Sequence, residues 1–204
     1  MSLVVRPAAA EDVTELAHVM GRAFYDDPPF RWAIPNDDVR RRKLHGLFRI
    51  LLKTVHLPRG GCEVVVRDGK IVAGAMWDPP DNWQTPLVTE IMQLSPLVFL
   101  LGRHVVGAIR GLSALELLAR VHPREPHWYL GVLGTDPVAQ GGGCGRALLE
   151  SRLSRCDAEG LPAYLESSKE ANVPYYERFG FVVRDGVTLP RNGPTIYPMW
   201  RDPA

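Results

Sequence analysis

The sequence predicts a mixed α/β fold in a single domain, and three observations carry that prediction. An apolar run from Trp128 to Leu133, a glycine-rich turn over Thr135 to Arg146 and an amphipathic stretch from Ala147 read as strand, loop and helix in succession. In the first half, two β-prone runs, Cys62 to Val66 and Ile71 to Trp77, flank Asp68-Gly69, a dipeptide suited to a type I′ hairpin turn. At 204 residues the chain is long enough for one ordinary core, and no repeat, linker or low-complexity segment divides it.

Taken in order, Ser2 to Arg6 is a short first strand. Glu11-Asp12 is a helix start signal, followed by Val13, Leu16, Ala17, Met20 and Ala23 or Phe24 at helical spacing. Pro28 and Pro29 break this helix within Phe24 to Trp32, a segment more aromatic than an ordinary solvated loop. Asp37 to Val55 is a second helix, with Val39, Leu47, Ile50 and Leu51 among its buried positions. After the hairpin, Thr85 to Val121 reads as helical, interrupted near Pro96 and at Gly102, Gly107 and Gly111. His127 to Gly134 is the next strand, Arg146 to Glu159 a helix, Ala163 to Glu166 a strand and Val173 to Phe179 a short helix. Phe181 to Arg184 and Thr195 to Trp200 close the sheet.

Composition narrows the function. The 24 basic and 23 acidic residues nearly cancel, which gives no electrostatic case for a nucleic-acid or anionic-membrane partner. Cys62, Cys144 and Cys156 form an odd set without a Cys-x-x-Cys pair, so neither a disulfide framework nor a zinc site is suggested, and a reducing, cytoplasmic setting is expected. The N-terminal residues lack the basic and apolar regions of a signal peptide. The most apolar stretch, Ile91 to Gly102, is too short to cross a bilayer.

The glycine loop carries the chemistry. Glycines let the main chain turn sharply and approach a ligand closely, and the first free N–H groups of the following helix point one way, toward an anion. Spacing decides which anion. No Lys-Ser or Lys-Thr follows the glycines, as a P-loop requires, and the third glycine of a Rossmann fingerprint falls on Arg146 or Leu148. The spacing that fits is Gln-x-x-Gly-x-Gly: Gln140, Gly143 and Gly145. Downstream stands Glu170-Ala171-Asn172-Val173-Pro174-Tyr175-Tyr176-Glu177-Arg178-Phe179-Gly180-Phe181. These two segments, in this order, resemble the acetyl-CoA loop and the Tyr-Glu-x-x-Gly-Phe segment of the GNAT superfamily of N-acetyltransferases. The pattern over residues 122 to 185, including Pro162 to Ser168, is most similar to the puromycin N-acetyltransferase branch. In many relatives a basic residue stands where this chain has Gly142.

The resemblance implies a mixed, mostly antiparallel sheet of about seven strands with flanking helices and splayed fourth and fifth strands, the pantetheine arm of acetyl-CoA lying in the gap. The exposed strand edge would be Leu133, Gly134 and Thr135. Gly131 and Gly134 agree, because strand glycines mark bulges or close approaches. It implies CoA contacts from Gln140, Gly141, Gly142, Gly143, Cys144, Gly145 and Arg146, mostly through backbone, and from Asn172. Cys144, near a helix N-terminus, reads as loop filler with incidental thiol reactivity. Tyr176 is the expected proton donor to the departing thiolate, and Tyr175, about 100° away on the same short helix, would face elsewhere. Glu166, at the end of a strand, would attract the ammonium or relay its proton, with Tyr129 and His127 in reserve. Asp26, Phe30, Trp32, Trp77 and Trp83 lie in segments that surround the acceptor in the resembling family, and their ordinary role is packing. No metal is expected, and the chain is read as a monomer or homodimer.

The function expected is acetyl transfer from acetyl-CoA to a primary amine of a small molecule, with a helical insertion at about 83–121 over the acceptor end of one domain. A non-catalytic acyl-CoA-binding module and a peptide-amine acetyltransferase are the alternatives. Glu166 lies at a suitable distance beyond the glycines for a dinucleotide ribose contact, but the missing third glycine argues against an oxidoreductase.

Overall fold

The computed structural model describes residues 3–80 and 105–204. Among them eight strands form the sheet: β1 (Val4–Pro7), β2 (Cys62–Arg67), β3 (Lys70–Asp78), β4 (Trp128–Thr135), β5 (Ala163–Ser167), β6 (Val182–Val183), β7 (Val187–Thr188) and β8 (Thr195–Arg201). They lie in the order β1-β2-β3-β4-β5-β8-β6, with β7 also paired to β8. The eighth strand, beyond the seven expected, is β7. Two residues are too few to leave a periodic signal in the sequence. Every pairing is antiparallel except β4 with β5. The hairpin is as expected, with φ of 52° at Asp68 and 75° at Gly69, both positive as a type I′ turn requires.

Six α-helices accompany the sheet among the described residues: α1 (Val13–Ala23), α2 (Pro28–Ala33), α3 (Asp37–Leu51), α4 (Val105–Val121), α5 (Cys144–Glu159) and α6 (Val173–Glu177). The prolines do end α1, but they also begin α2, in whose first turn a missing N–H costs nothing. The aromatic segment that interrupts the first helix therefore contains a short helix of its own. Buried Arg40 holds it, donating from Nε to the Tyr25 carbonyl at 2.7 Å and from Nη1 to that of Ile34 at 2.8 Å. Helix α3 runs into a π-helical turn, Leu52–His56, rather than continuing as α-helix to Val55.

Two apolar layers cover the two faces of the sheet. On one, Leu148, Leu149 and Leu153 of α5 pack on Val65, Trp77, Leu130 and Leu165. On the other, Leu16 and Met20 of α1 and Leu44 and Phe48 of α3 pack on Val64, Ile71 and Met76. Covered on both sides, β3 is buried from Ile71 to Asp78, apart from half-buried Val72, and loses the alternation of a half-exposed strand.

The feature that shapes the site lies in β4. Met76 pairs with Val132 and Trp77 with Leu130, which leaves Gly131 as an extra residue, a β-bulge. On its other edge β4 pairs with β5 only at Trp128, Tyr129 and Leu130. The two strands part where the bulge bends β4, and a fork opens over residues 131–135. Gly134 serves a different purpose. A Cβ there would lie 2.7 Å from Met20 Sδ and 3.0 Å from Phe24 Cε2, so this glycine lets α1 sit down on the strand. The close approach read from the sequence as another backbone is made by side chains.

Glycines of opposite kinds give a stability test. A Cβ on Gly61 would fall 1.8 Å from the Trp77 carbonyl oxygen, whereas one on Gly111 of α4 meets nothing within 4 Å. Gly61→Ala is expected to cost about 3 kcal/mol or more through backbone displacement. Gly111→Ala should add about 1 kcal/mol from helix propensity. Urea unfolding of both variants against wild type checks the pair.

Candidate active site

The phosphate loop is built on a helix start left uncapped by side chains. Gly143 precedes α5 with φ 80° and gives no side-chain cap, and Gly141 has φ 78°. The first helical bond runs from the N–H of Ala147 to the carbonyl of Gly143, so the N–H groups of Cys144, Gly145 and Arg146 have no acceptor within the helix. Upstream, Asp136 fixes the loop. Its Oδ1 accepts from the N–H of Val138 at 3.3 Å and its Oδ2 from Nε of Arg22 at 2.9 Å, tying the loop to α1. Gln140 Nε2 donates to the Thr135 carbonyl at 3.3 Å. Arg146 turns its guanidinium outward to Glu150, so only its backbone faces the loop. Arg67, at the end of β2, brings Nη1 to 3.3 Å from where a Gly142 Cβ would stand. A cation thus stands beside the glycine that replaces a basic residue. This arrangement suits a diphosphate held on backbone N–H groups.

Gly145 has a second reason to be glycine. A Cβ there would lie 2.9 Å from the Tyr175 hydroxyl, which points at the start of α5. Tyr176 is turned the other way, edge-on to Phe181 with ring centroids 6.1 Å apart. Burial, then Tyr175 and Asp27, raises its phenol above the ordinary value, so it stays protonated.

Polar side chains crowd the face of the fork opposite α5. Tyr129 donates its hydroxyl to Glu166 Oε2 at 2.6 Å, and burial followed by the Glu166 charge raises the Tyr129 phenol well above its usual range. Glu166 Oε1 is buried with no hydrogen bond, 3.7 Å from His122 Nδ1. His122 Nε2 meets His127 Nε2 at 3.0 Å, and His127 Nδ1 donates to the Glu125 carbonyl at 2.6 Å. Burial lowers the His127 pKa, which favours its neutral form. Its Nε2 then accepts, and the shared proton belongs to His122. Tyr164 and Trp200 pack edge-on around these rings. A second group adjoins. His56 Nδ1 lies 3.0 Å from Asp78 Oδ1, Arg59 holds the other carboxylate oxygen, and Asp78 pairs with Tyr129 across β3 and β4.

Several residues singled out from the sequence lie elsewhere. Trp77 is fully buried in the core under α5, because its register with Leu130 puts it on the face away from the polar group. Trp32 is a packing residue, its Nε1 donating to the Arg191 carbonyl at 3.3 Å while its own carbonyl accepts from Arg110 of α4 at 2.7 Å. Phe30 packs with Phe24 and Phe48. Asp26 is exposed, and its neighbour Asp27 is the buried acid, accepting from the Ser168 hydroxyl just beyond β5. Desolvation raises the Asp27 pKa. Asn172 is exposed at the start of α6. Trp83 and residues 83–104 of the insertion lie outside the described residues. Cys144 is buried, and burial raises its thiol despite the helix start and Arg67, so reactivity is not favoured. The sequence reading passed over His56, Asp78, His122 and Arg67. An acid ending a strand whose other residues are nearly all apolar, as Asp78 does, was the available signal.

Comparison with known proteins bears on this geometry. The Acetyltransferase (GNAT) family profile matches residues 20–181. The chain belongs to the GNAT family. Family members use acetyl-CoA and transfer its acetyl group. An uncharacterised N-acetyltransferase of Schizosaccharomyces pombe is 28% identical over 95% of this chain and 80% of its own length. A structure described as histone acetyltransferase HPA2 and related acetyltransferase from Corynebacterium glutamicum shares 31% identity and a TM-score of 0.78, covering 100% of this chain and 98% of the other. The mycothiol acetyltransferase of Streptomyces avermitilis is 41% identical over 32% of this chain, and the match spans 22% of that protein. Among the described residues no helix is long and apolar enough to cross a membrane, and no three metal-binding side chains cluster.

Burial gives the cysteines a testable property. Cys62 and Cys156 are pushed up to about 12 by burial, and Cys144 is raised for the same reason. Folded protein at pH 8 is expected to react with a disulfide reagent at none of the three within minutes, and at all three in denaturant.

Proposed function

We propose that this chain acetylates a primary amine of a small molecule by direct attack of the amine on acetyl-CoA in a ternary complex, acting as one catalytic domain over residues 1–204 in the cytoplasm. The observation that carries the reading is the conjunction of three parts within one fold: an uncapped glycine loop, a forked strand pair and, on α6, Tyr176, whose phenol is kept protonated by burial. The loop from Gln140 to Arg146 would take the diphosphate, with Arg67 as a further cation. The free edge of Leu133, Gly134 and Thr135 would hydrogen-bond the pantetheine amides as a neighbouring strand does. Acetyl-CoA supplies the activated acetyl group.

Each residue then has a defined task. Glu166, with one buried carboxylate oxygen unsatisfied, draws the ammonium of the acceptor into the fork. Tyr176 gives its proton or a hydrogen bond to the departing sulfur. Asp27 takes the place assigned to Asp26 as the acid beside the acceptor, because it is the one buried near Tyr176. Phe24, whose Cε2 lies 3.0 Å from where a Cβ on Gly134 would stand, would give the fork an apolar wall. Positioning supplies most of the rate, since effective molarities of about 10^5 M or more are reachable for well-oriented groups. Two buried acids with aromatic neighbours, Glu166 and Asp27, suit an amphipathic amine of the antibiotic-like or secondary-metabolite kind better than a peptide N-terminus. A passive acyl-CoA sensor would not need a hydrogen-bonded Tyr129–Glu166 pair at the fork.

Thiol release from acetyl-CoA with a panel of primary amines, aminonucleosides and peptide N-termini tests the reading, and turnover with a small amine is expected. Tyr176→Phe should lower turnover about 10- to 1000-fold, as for loss of a general acid, while the thermal shift produced by CoA is retained. Tyr175→Phe should be milder, since its hydroxyl packs on Gly145. A larger loss at Tyr175 would reverse the assignment, and a thermal shift with NAD but none with CoA would reject the family's cosubstrate for this chain.

A further inference from the structure

The amine that attacks the thioester must lose a proton, and the sequence offered Glu166, Tyr129 and His127 to relay it. Glu166 has Oε2 occupied by the Tyr129 hydroxyl and Oε1 set 3.7 Å from His122, where it serves the ammonium, and the His122–His127 chain ends on the Glu125 carbonyl, which does not take up a proton at neutral pH. The group formed by His56, Asp78 and Arg59 is built differently. A carboxylate only accepts, so Nδ1 of His56 donates to Asp78 at 3.0 Å, and the tautomer this selects has its lone pair on Nε2. Arg59 engages the second carboxylate oxygen and fixes its orientation. Histidine and aspartate are both nearly buried, with side chains 9% and 2% exposed.

The location matters more than the pairing. His56 ends the π-helical turn, a distortion that shifts the side chains after it around the helix axis and is frequent at functional sites. Its Cε1, which bridges Nδ1 and Nε2, lies 3.3 Å from the point where a Cβ on Gly131 would stand, and Cε1 of Tyr129 lies 3.4 Å from that same point. The histidine thus sits against the bulge that opens the fork, beside the tyrosine bound to Glu166. A side chain at residue 131 would occupy this contact.

We propose that His56, oriented by Asp78, is the general base of the reaction, an assignment that rests on the acetyl-transfer reading above. The ammonium of the acceptor first gives a proton to Nε2, directly or through one water, and the freed lone pair bonds to the acetyl carbon. The C–S bond breaks, the sulfur takes the proton of Tyr176, the surplus proton of the acylated nitrogen passes through water to the Tyr176 oxygen, and the imidazolium is held by Asp78 until it gives its proton to solvent. Glu166 keeps the separate task of attracting the cationic acceptor.

Two measurements test this. In long-range ¹H–¹⁵N spectra of ¹⁵N-histidine-labelled protein at pH 8, His56 should be the Nδ1-protonated tautomer with a bare Nε2. An Nε2-protonated His56 overturns the proposal whatever the acceptor proves to be. With the best primary amine of the panel, His56→Gln should lower kcat about 100-fold or more, while the KM for acetyl-CoA and the CoA thermal shift stay within a factor of two. Hydroxylamine, already neutral at pH 8, should lose less than 10-fold as acceptor. An undiminished kcat for the primary amine in His56→Gln overturns the dyad. If wild type releases no thiol with any amine of the panel, the acetyl-transfer reading has failed and the spectrum alone decides the tautomer.

Discussion

A single β-bulge governs this molecule. At the extra residue, Gly131, β4 leaves its parallel ladder with β5, and residues 131–135 have no partner on that strand. There β4 bends while its other edge stays hydrogen-bonded to β3, so the opening is held in a rigid frame. The same bend puts the ends of the two strands over the glycine loop on one side and the acid-rich face on the other. Loop, fork and polar cluster are three results of one departure from regular pairing.

The rest of the fold supports that departure. Arg22 and Asp136 tie the loop to α1, Arg40 straps the turn before α3, and Gly134 lets α1 press against the fork. Buried polar groups cost several kcal/mol when unpaired, so the acids here are mostly matched: Asp78 with His56 and Arg59, Asp27 with Ser168, one oxygen of Glu166 with Tyr129. Two buried carboxylate oxygens make no hydrogen bond, Oε2 of Glu63, which has Arg152 at 3.5 Å, and Oε1 of Glu166 at the fork. Unspent hydrogen-bonding capacity at the fork is what an active site keeps for its substrate.

Much of this was legible in the sequence because it depends on local chemistry. Asp68-Gly69 demands one turn type, a glycine run before an amphipathic segment demands an open helix start, and strand glycines announced both the bulge and the tight packing. The order of elements was readable for the same reason. The acceptor side was not. Whether Asp26 or Asp27 faces inward depends on the angle at which α2 leaves a proline pair, and Trp77 belongs to the core only because the bulge sets its register with Leu130. His56 and Asp78 are 22 residues apart and meet through a π-helical turn that no local pattern announces. Position-specific backbone chemistry survives in sequence, and long-range side-chain convergence does not.

The central claim is that the parting of β4 from β5 creates a backbone edge which acetyl-CoA fills. Hydrogen exchange measured by mass spectrometry with and without CoA tests it directly. Amides of residues 131–135 and 141–146 should become strongly protected on binding, while those of the β7–β8 turn over residues 189–194 stay unchanged. Protection absent from 131–135, with CoA demonstrably bound, would contradict the account.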